Sequence, residues 1–576
     1  MQNFLRLFII SILLLGGAFL AVPLANAVSI PGSAEIQRLH DVMNTPDLPA
    51  AIPSIATPVL DLQDVDLPAN LTKQELDKIP FMLKSVTIQG VTAYPAQTFL
   101  PVFEKSTGQN ITVAELYDLV NKITATYRND GYVLAKAILP PQEITEGHVK
   151  IRVVEGRLSN VRLEGERTDS RLLNTWAKAI QKQTPLNNKQ LERYLLLMND
   201  LPGIDAESTL RPGDEPATAE LVIHVTEDKY SGSIGANNWG TRYVGPNQVE
   251  GDLTVNSAYA EQLDWHDQTT VRGVQAASTE VNNLRYLDVT HGIPLNDSGT
   301  KLEAQLHHSL SEPGFTLEEL ELQSTTSGFN IALRHPVIRS RRENLNIFGM
   351  FDWRDTNSLI EDNNLSEDHI RALRIGLNYE AINSSGVTTA RVELSRGLNM
   401  FGASKPDSGV TSRENGVGNE FTKLKIDAAR LQRLHKRWNL LLAGSWQQST
   451  HALLASEEFG VGGENYGRGY ESSEITGDRG FAAKAELQID FPVGWNYLQS
   501  WQFYTFYDIG LTWQLDTLPG EDDDGDFLSS KGFGIRTQIT PDLSTDLTIA
   551  KPLSRGVASS GGDDAPNIYF RIKNRF

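Results

Sequence analysis

The chain has 576 residues, no cysteine, and 52 Lys and Arg against 72 Asp and Glu, for a net charge of −20. That length is long for one domain and points to several domains or a large barrel with an appendage. The acidity excludes a nucleic-acid partner, whose phosphates such a surface would repel, whereas a mean hydropathy of −0.30 leaves room for a barrel with a polar lumen.

Residues 1–27 read as a secretory signal peptide, with Arg6 in the n-region, an apolar run from Leu7 to Val22, and Ala25-Asn26-Ala27 as the cleavage site. The mature chain is expected to begin at Val28. No later stretch approaches the ~20 apolar residues of a membrane helix, so the destination is the periplasm, the medium or an outer-membrane barrel. In residues 28–44, Ser33 to Asn44 predicts a short amphipathic helix with Ser33 as N-cap and Ile36, Leu39 and Met43 on one face. Residues 45–80 carry Pro46, Pro49, Pro53, Pro58, Pro68 and Pro80 and read as an extended linker, or as an ordinary flexible N-terminus. At ~3.3 Å per residue the linker could span roughly 120 Å.

From Phe81 the chain repeats itself. Val86, Ile88 and Gly90 recur 75 residues later as Val161, Leu163 and Gly165, and Val149, Ile151, Val153 and Glu155 recur 72 residues later as Leu221, Ile223, Val225 and Glu227. Between these strand-like runs each copy is expected to hold two helices. Thr112 and Glu115 form a capping box ahead of the stripe Val113, Leu116, Val120, Ile123 and Tyr127, closed by Gly131; Leu191, Tyr194, Leu195 and Met198 are the counterpart in the second copy. Residues 81–156 and 157–228 are thus two α+β domains. A three-stranded sheet of this plan leaves an edge open to an extended segment of another chain.

Residues 229–576 change period. In Trp501 to Trp513, the residues Trp501, Phe503, Thr505, Tyr507, Ile509, Leu511 and Trp513 share one face, leaving Gln502, Tyr504, Phe506, Asp508 and Gly510 on the other. Phe481 to Asp490 and Lys423 to Ala428 alternate likewise, the former setting Lys484, Glu486, Gln488 and Asp490 on its polar face. This suits strands with lipid on one side and water on the other. Trp438, Trp446, Trp501 and Trp513 fit an aromatic girdle. Sixteen strands are expected, starting near 229, 247, 266, 282, 299, 324, 343, 368, 387, 421, 437, 480, 500, 529, 542 and 567. The competing architecture, a soluble β-sandwich, is disfavoured by the signal peptide taken together with the aromatic girdle and the terminal run Ile568, Phe570, Ile572, Asn574 and Phe576.

Between the eleventh and twelfth strands lies a long loop, 448–479. Its glycines Gly460, Gly462, Gly463, Gly467 and Gly469 are too dense for a helix or a paired strand. Among them stands one arginine, Arg468.

Two such repeats ahead of sixteen strands resemble the two-partner secretion transporters, the haemolysin secretion/activation translocators of the outer membrane. Gly131-Tyr132-Val133, Leu139-Pro140-Pro141-Gln142, Gly147 and Val154-Glu155-Gly156 resemble the first POTRA repeat of that family. Leu186-Asn187, Leu191-Glu192-Arg193, Leu201-Pro202-Gly203 and Leu210-Arg211-Pro212-Gly213 resemble the second. The resemblance implies a mainly β protein: a 16-stranded antiparallel transmembrane β-barrel, two periplasmic α+β POTRA domains, and an N-terminal helix that plugs the bore. It also implies that the long loop folds back into the lumen through a Val-Arg-Gly-Tyr/Phe motif, here Gly467-Arg468-Gly469-Tyr470. Its arginine would pair with the aspartate of Phe506-Tyr507-Asp508. Tyr132, Val133, Pro140, Pro141 and Gln142 become candidates for cargo binding.

The implied function is to bind the N-terminal secretion domain of a large exported partner protein and pass it through the barrel. A passive channel and a barrel-assembly insertase are the alternatives; the repeats disfavour the first, and their number with Pro140-Pro141-Gln142 disfavours the second. The chain is expected to be a monomer among outer-membrane lipids, without cofactor, metal or catalytic site. Glu521 to Asp526 hints at a calcium loop, but Lys531 stands where the bidentate glutamate is due. His307 and His308 adjoin on a strand and so face opposite sides.

Overall fold

The computed structural model describes residues 73–576 apart from 96, 145, 214–217, 258–265, 278–283, 407–409, 414–416, 496, 516–524 and 559–560. The signal peptide, the helix expected at Ser33 to Asn44, most of the linker and most of the acidic run lie outside the described residues.

Helix α1 (Lys73–Leu76) precedes the first repeat, which comprises β1 (Pro80–Met82), β2 (Ser85–Gln89), α2 (Pro101–Glu104), β3 (Asn110–Thr112), α3 (Val113–Asn129), β4 (Lys136–Ile138) and β5 (His148–Val154). Its sheet runs β2-β5-β4, with β2 parallel and β4 antiparallel to β5. Helix α3 starts at the expected capping box: the Thr112 hydroxyl accepts from the Glu115 amide at 3.2 Å, and the Glu115 carboxylate accepts from the Thr112 amide at 2.8 Å. Its stripe Leu116, Val120, Ile123 and Tyr127 is fully buried. The first of the two expected helices is only the four residues of α2. Pro95, Pro101 and Gly108 break that stretch, and β1 pairs with β3 beside it.

The second repeat holds β6 (Arg157–Gly165), α4 (Arg171–Gln181), α5 (Asn188–Asn199), β7 (Ile204–Pro212) and β8 (Thr218–Glu227), ordered β6-β8-β7. The internal repeat extends to single contacts. Gly90 and Gly165 have φ of +82° and +97°, and a Cβ there would lie 2.2 Å from the Val153 carbonyl oxygen and 2.3 Å from that of Val225. Those valines are themselves equivalent positions, so the same backbone crossing demands glycine twice.

Two residues after β8 the barrel begins. Its strands are β9 (Tyr230–Asn237), β10 (Gln248–Asn256), β11 (Gln268–Ala276), β12 (Leu284–Pro294), β13 (Lys301–Ser311), β14 (Gln323–Arg339), β15 (Glu343–Ile360), β16 (Asn363–Asn383) and β17 (Gly386–Gly397). They continue as β18 (Thr422–His435) and β19 (Trp438–Ser449). After a hairpin of β20 (Phe459–Val461) and β21 (Ile475–Gly477) come β22 (Arg479–Trp495), β23 (Leu498–Trp513), β24 (Asp526–Gln538), β25 (Leu543–Pro552) and β26 (Asn567–Arg575). All but β20 and β21 form one closed antiparallel barrel of sixteen strands, each starting within five residues of its expected position. The widest miss is β16, expected at 368. Its polar start reads as loop, yet Glu361 and Asp362 both adopt positive φ, +47° and +61°, in a tight hairpin turn that lets the ladder run to its tip.

Leu306, Ile331, Leu333, Phe533 and Ile568 are exposed on the outer face, where lipid would cover them, while the lumenal face is polar. His307 is buried inside and His308 is outside. The second repeat is docked on periplasmic turns of the barrel. The Trp176 indole donates to the Asp297 carbonyl at 2.7 Å, and Arg339 grips Asp200 through Nε and a terminal nitrogen at 2.8 and 2.7 Å.

Candidate functional site in the barrel lumen

The loop between β19 and β22 folds inward and lies on the inner wall. Contrary to the expectation from its glycines, Gly460 is in a paired strand: β20 and β21 form a three-residue ladder. The wall makes room for it. A Cβ on Gly480 would lie 2.0 Å from the Phe459 ring and one on Gly510 would lie 2.3 Å from the Val461 side chain. Glycines in β22 and β23 are therefore sockets for loop side chains, and that seating, with Ile475 and Leu528 also buried, stabilises a hairpin too short to persist alone.

At the tip, Arg468 is 3% exposed. Its Nε and one terminal nitrogen donate to the two Asp508 oxygens at 2.9 and 2.8 Å, and its backbone amide adds a third bond at 3.1 Å. The other terminal nitrogen donates to Glu486 at 2.6 Å. The guanidinium lies over the Phe506 ring at 3.4 Å. Glu486 is in turn shared with Arg536, at 2.6 Å, which also bonds Asp546 at 3.0 Å and covers the Tyr504 ring at 3.8 Å. Two arginines, three carboxylates and two aromatic rings thus form one network across β22, β23, β24 and β25. Arg468, Glu486 and Asp508 are buried, so each of these charges depends on its partners.

The rest of the motif is fixed by backbone. Tyr470 is fully buried; its hydroxyl lies 3.2 Å from the Ser529 carbonyl and 3.1 Å from that of Arg555, and accepts from the Ser554 and Arg555 amides at 3.3 Å. Gly469 passes so close to β25 that a Cβ would lie 2.7 Å from the Lys551 carbonyl carbon. Gly467 has φ of +83°, and a Cβ there would meet Leu528 at 2.8 Å. Here the family's valine would be strained. Nearby, Glu464 pairs with Arg571 of β26 through both oxygens.

The repeat-1 candidates lie apart from this lumenal network and have structural partners. Tyr132 packs edge-on against Tyr94 and Tyr127 at 5.9 and 5.7 Å, and Val133 and Pro140 are half-buried. Pro141 is exposed and adjoins the end of β4. The Gln142 amide donates to the Lys150 carbonyl at 2.7 Å and accepts from its amide at 2.8 Å, closing β5 where β4 has ended. Glu155 clamps the loop after β2, accepting from the Thr92 and Ala93 amides at 2.7 and 2.9 Å, from the Thr92 hydroxyl, and from Tyr127 at 2.7 Å.

Glu486, Arg536 and Glu464 were not singled out from the sequence. The period-2 alternation of Phe481 to Asp490 already put Glu486 on the polar face with Lys484, and Asp508 pairs with Lys484 in the ladder. The signal was present for Glu486; nothing in the sequence marks Glu464.

A closed sixteen-stranded barrel preceded by two α+β repeats, the second docked on it, with a loop clasped in its lumen, is the build of an outer-membrane transporter with periplasmic POTRA domains. Residues 218–537 match the family model for the haemolysin secretion/activation protein ShlB/FhaC/HecB, and residues 81–156 match the ShlB-type POTRA domain. The first match spans more than half of the chain, which therefore belongs to that family. Among curated relatives, the heme/hemopexin transporter protein HuxB of Haemophilus influenzae (strain 86-028NP) is 23% identical over 84% of this chain and 85% of its own. The outer membrane transporter CdiB of Escherichia coli O6:K15:H31 is 23% identical over 76% and 72%. The solved structure of CdiB from Escherichia coli superposes with a TM-score of 0.70 at 21% identity, covering 94% of this chain and 96% of that one. The chain is an outer-membrane secretion protein with its POTRA repeats in the periplasm.

Proposed function

We propose that the repeats capture the N-terminal secretion domain of a large exported partner by strand addition, and that the partner then passes through the barrel and folds outside. The observation that carries this reading is the pair of three-stranded sheets whose edges are unpaired among the described residues, the second fixed to the barrel by Trp176 and the Arg339–Asp200 pair. A diffusion pore has no use for such edges. Edge β2 has five residues, whereas β4 has three and is cut short by Pro140 and Pro141. We place the added strand on β2; Tyr132, Val133, Pro140, Pro141 and Gln142 then serve by shaping the repeat around it. The relatives' names suggest cargo of the heme/hemopexin or hemolysin kind.

The lumenal clasp of Arg468 with Asp508 holds the loop in its transport-competent position. The protein works as a monomer without catalysis or cofactor, and folding of the partner at the cell surface supplies direction. The test is co-expression with a candidate partner, a large exported protein bearing an N-terminal secretion domain, with and without this chain. Appearance of the partner in the medium only when the chain is present is expected; equal export in both strains overturns the proposal.

A further inference from the structure

The proximal limb of the long loop carries a second ion cluster that no motif marks. After β19, Leu453 and Leu454, 0% and 1% exposed, sink against Ile370, Ala372 and Phe421, and a single turn of 3-10 helix, Ala455–Glu457, follows. Glu457 is 3% exposed. Its carboxylate bonds Lys423 at 2.6 Å, Arg374 at 2.7 Å, and Arg354. Its carbonyl accepts from Lys423 and from the Gln447 amide, both at 3.1 Å. These partners come from β15, β16, β18 and β19. Within the cluster Asp352 bonds Arg374 at 2.7 Å, and Glu393, 3.7 Å from Arg374, is also bound by Arg391 at 2.7 Å. Without Glu457 the buried cations Arg354, Arg374 and Lys423 would lose the carboxylate that bonds all three of them on a desolvated wall.

The two clasps are mirror images in charge. At the tip the loop brings a cation to wall carboxylates on β22 and β23; at the proximal limb it brings a carboxylate to wall cations on β15, β16 and β18. They share no residue. We infer that Glu457 is a further anchor of the loop beside the Arg468–Asp508 and Glu464–Arg571 pairs, a positioning residue of opposite sign to Arg468, and that secretion needs both its clasp and that of Arg468 closed in the resting protein. The inference rests on the reading of this loop as part of the transport path. It assigns the basic patch of Arg354, Arg374 and Lys423 as a carboxylate site that the loop itself fills.

The test uses the full chain in the outer membrane, with folding scored by heat-modifiable migration. Glu457→Gln is expected to lower partner secretion at least fivefold while Arg468 and Asp508 are intact. The swap Glu457→Lys with Lys423→Glu, which keeps the cluster's charge sum, is expected to restore at least half of the secretion. Because the chain has no cysteine, a nitroxide on His451→Cys reports the limb directly, and its spectrum should sharpen in Glu457→Gln and broaden again in the swap. Should Glu457→Gln fail to fold, Glu457→Asp, which keeps the charge but retracts it, is read for the same spectral sharpening. Normal secretion with an unchanged spectrum, or a folded swap that rescues neither readout, overturns the inference. Asp508→Asn run alongside separates the two ideas. If it too secretes normally, the loop's role in transport fails; if it is impaired while Glu457→Gln is not, only the Glu457 anchor fails.

Discussion

Arg468 is divided between two carboxylates, and that division sets how its removal should differ from removal of its partners. Asp508 has its side chain fully buried and is held by three bonds from one residue, whereas Glu486 keeps Arg536 when Arg468 is gone. Breaking such a buried pair costs about 3–5 kcal/mol because the survivor is left charged and dry. Arg468→Ala and Asp508→Ala should therefore each impair secretion and lower the unfolding midpoint, with the double variant no worse than Arg468→Ala; additive losses in that cycle would argue against direct pairing. Gly467 gives a prediction of the opposite kind, since restoring the family's valine should harm this chain. Its φ of +83° and the 2.8 Å approach to Leu528 put Gly467→Val at a loss of about 1–3 kcal/mol. Protease nicking between Val461 and Ile475 should rise in the variant, and unchanged protection would mean that the turn relaxes without strain.

At the scale of the element, the first repeat shows a signature acting as a clamp. Burial alone would raise the Glu155 carboxyl, but the Ala93 amide, the Thr92 hydroxyl, the Tyr127 phenol and the Thr92 amide outweigh it and hold it below the ordinary glutamate range. Burial first, and the bond to Glu155 second, push the Tyr127 phenol up, so it remains a donor at any physiological pH. A depressed carboxyl contributes stability that is fully present above its unfolded value and is lost as pH falls through its folded value. Amide exchange of Thr92 and Ala93 should thus show protection at pH 7 that declines only below about pH 4.3, the unperturbed glutamate value. Glu155→Gln should remove that dependence, and a decline of the same size in the variant would assign it to another group. Gly156 follows with φ of +68° and turns the chain directly into β6, where a Cβ would lie 2.5 Å from the Leu134 side chain.

The whole molecule joins periplasmic POTRA repeats to a lumen that its own loop partly fills. The helix expected from the sequence at Ser33 to Asn44, which would be ~18 Å long at 1.5 Å per residue, is proposed as a further obstruction of the bore. Deleting residues 33–44 should raise baseline conductance in planar bilayers, and an unchanged current would remove the plug from the scheme.

Period and punctuation settled much of this fold before any contact was known. The alternation from Trp501 to Trp513 placed Asp508 and Phe506 in the lumen, the 72- and 75-residue offsets marked two sheets of one plan, and Thr112 with Glu115 placed the start of α3, because each is a local rule of backbone geometry. The resemblance carried by Gly467 to Tyr470 and Phe506 to Asp508 supplied the pairing. What tertiary structure alone decided is where the loop's other charges go. Glu457, Glu464 and Arg468 stand within twelve residues of one another, yet they reach Lys423, Arg571 and Asp508 on three separated parts of the wall. No local pattern fixes that choice, because it depends on which strands the closure of sixteen brings to face one loop. Closure also turned Gly480 and Gly510 from apparent weak points of β22 and β23 into seats for Phe459 and Val461.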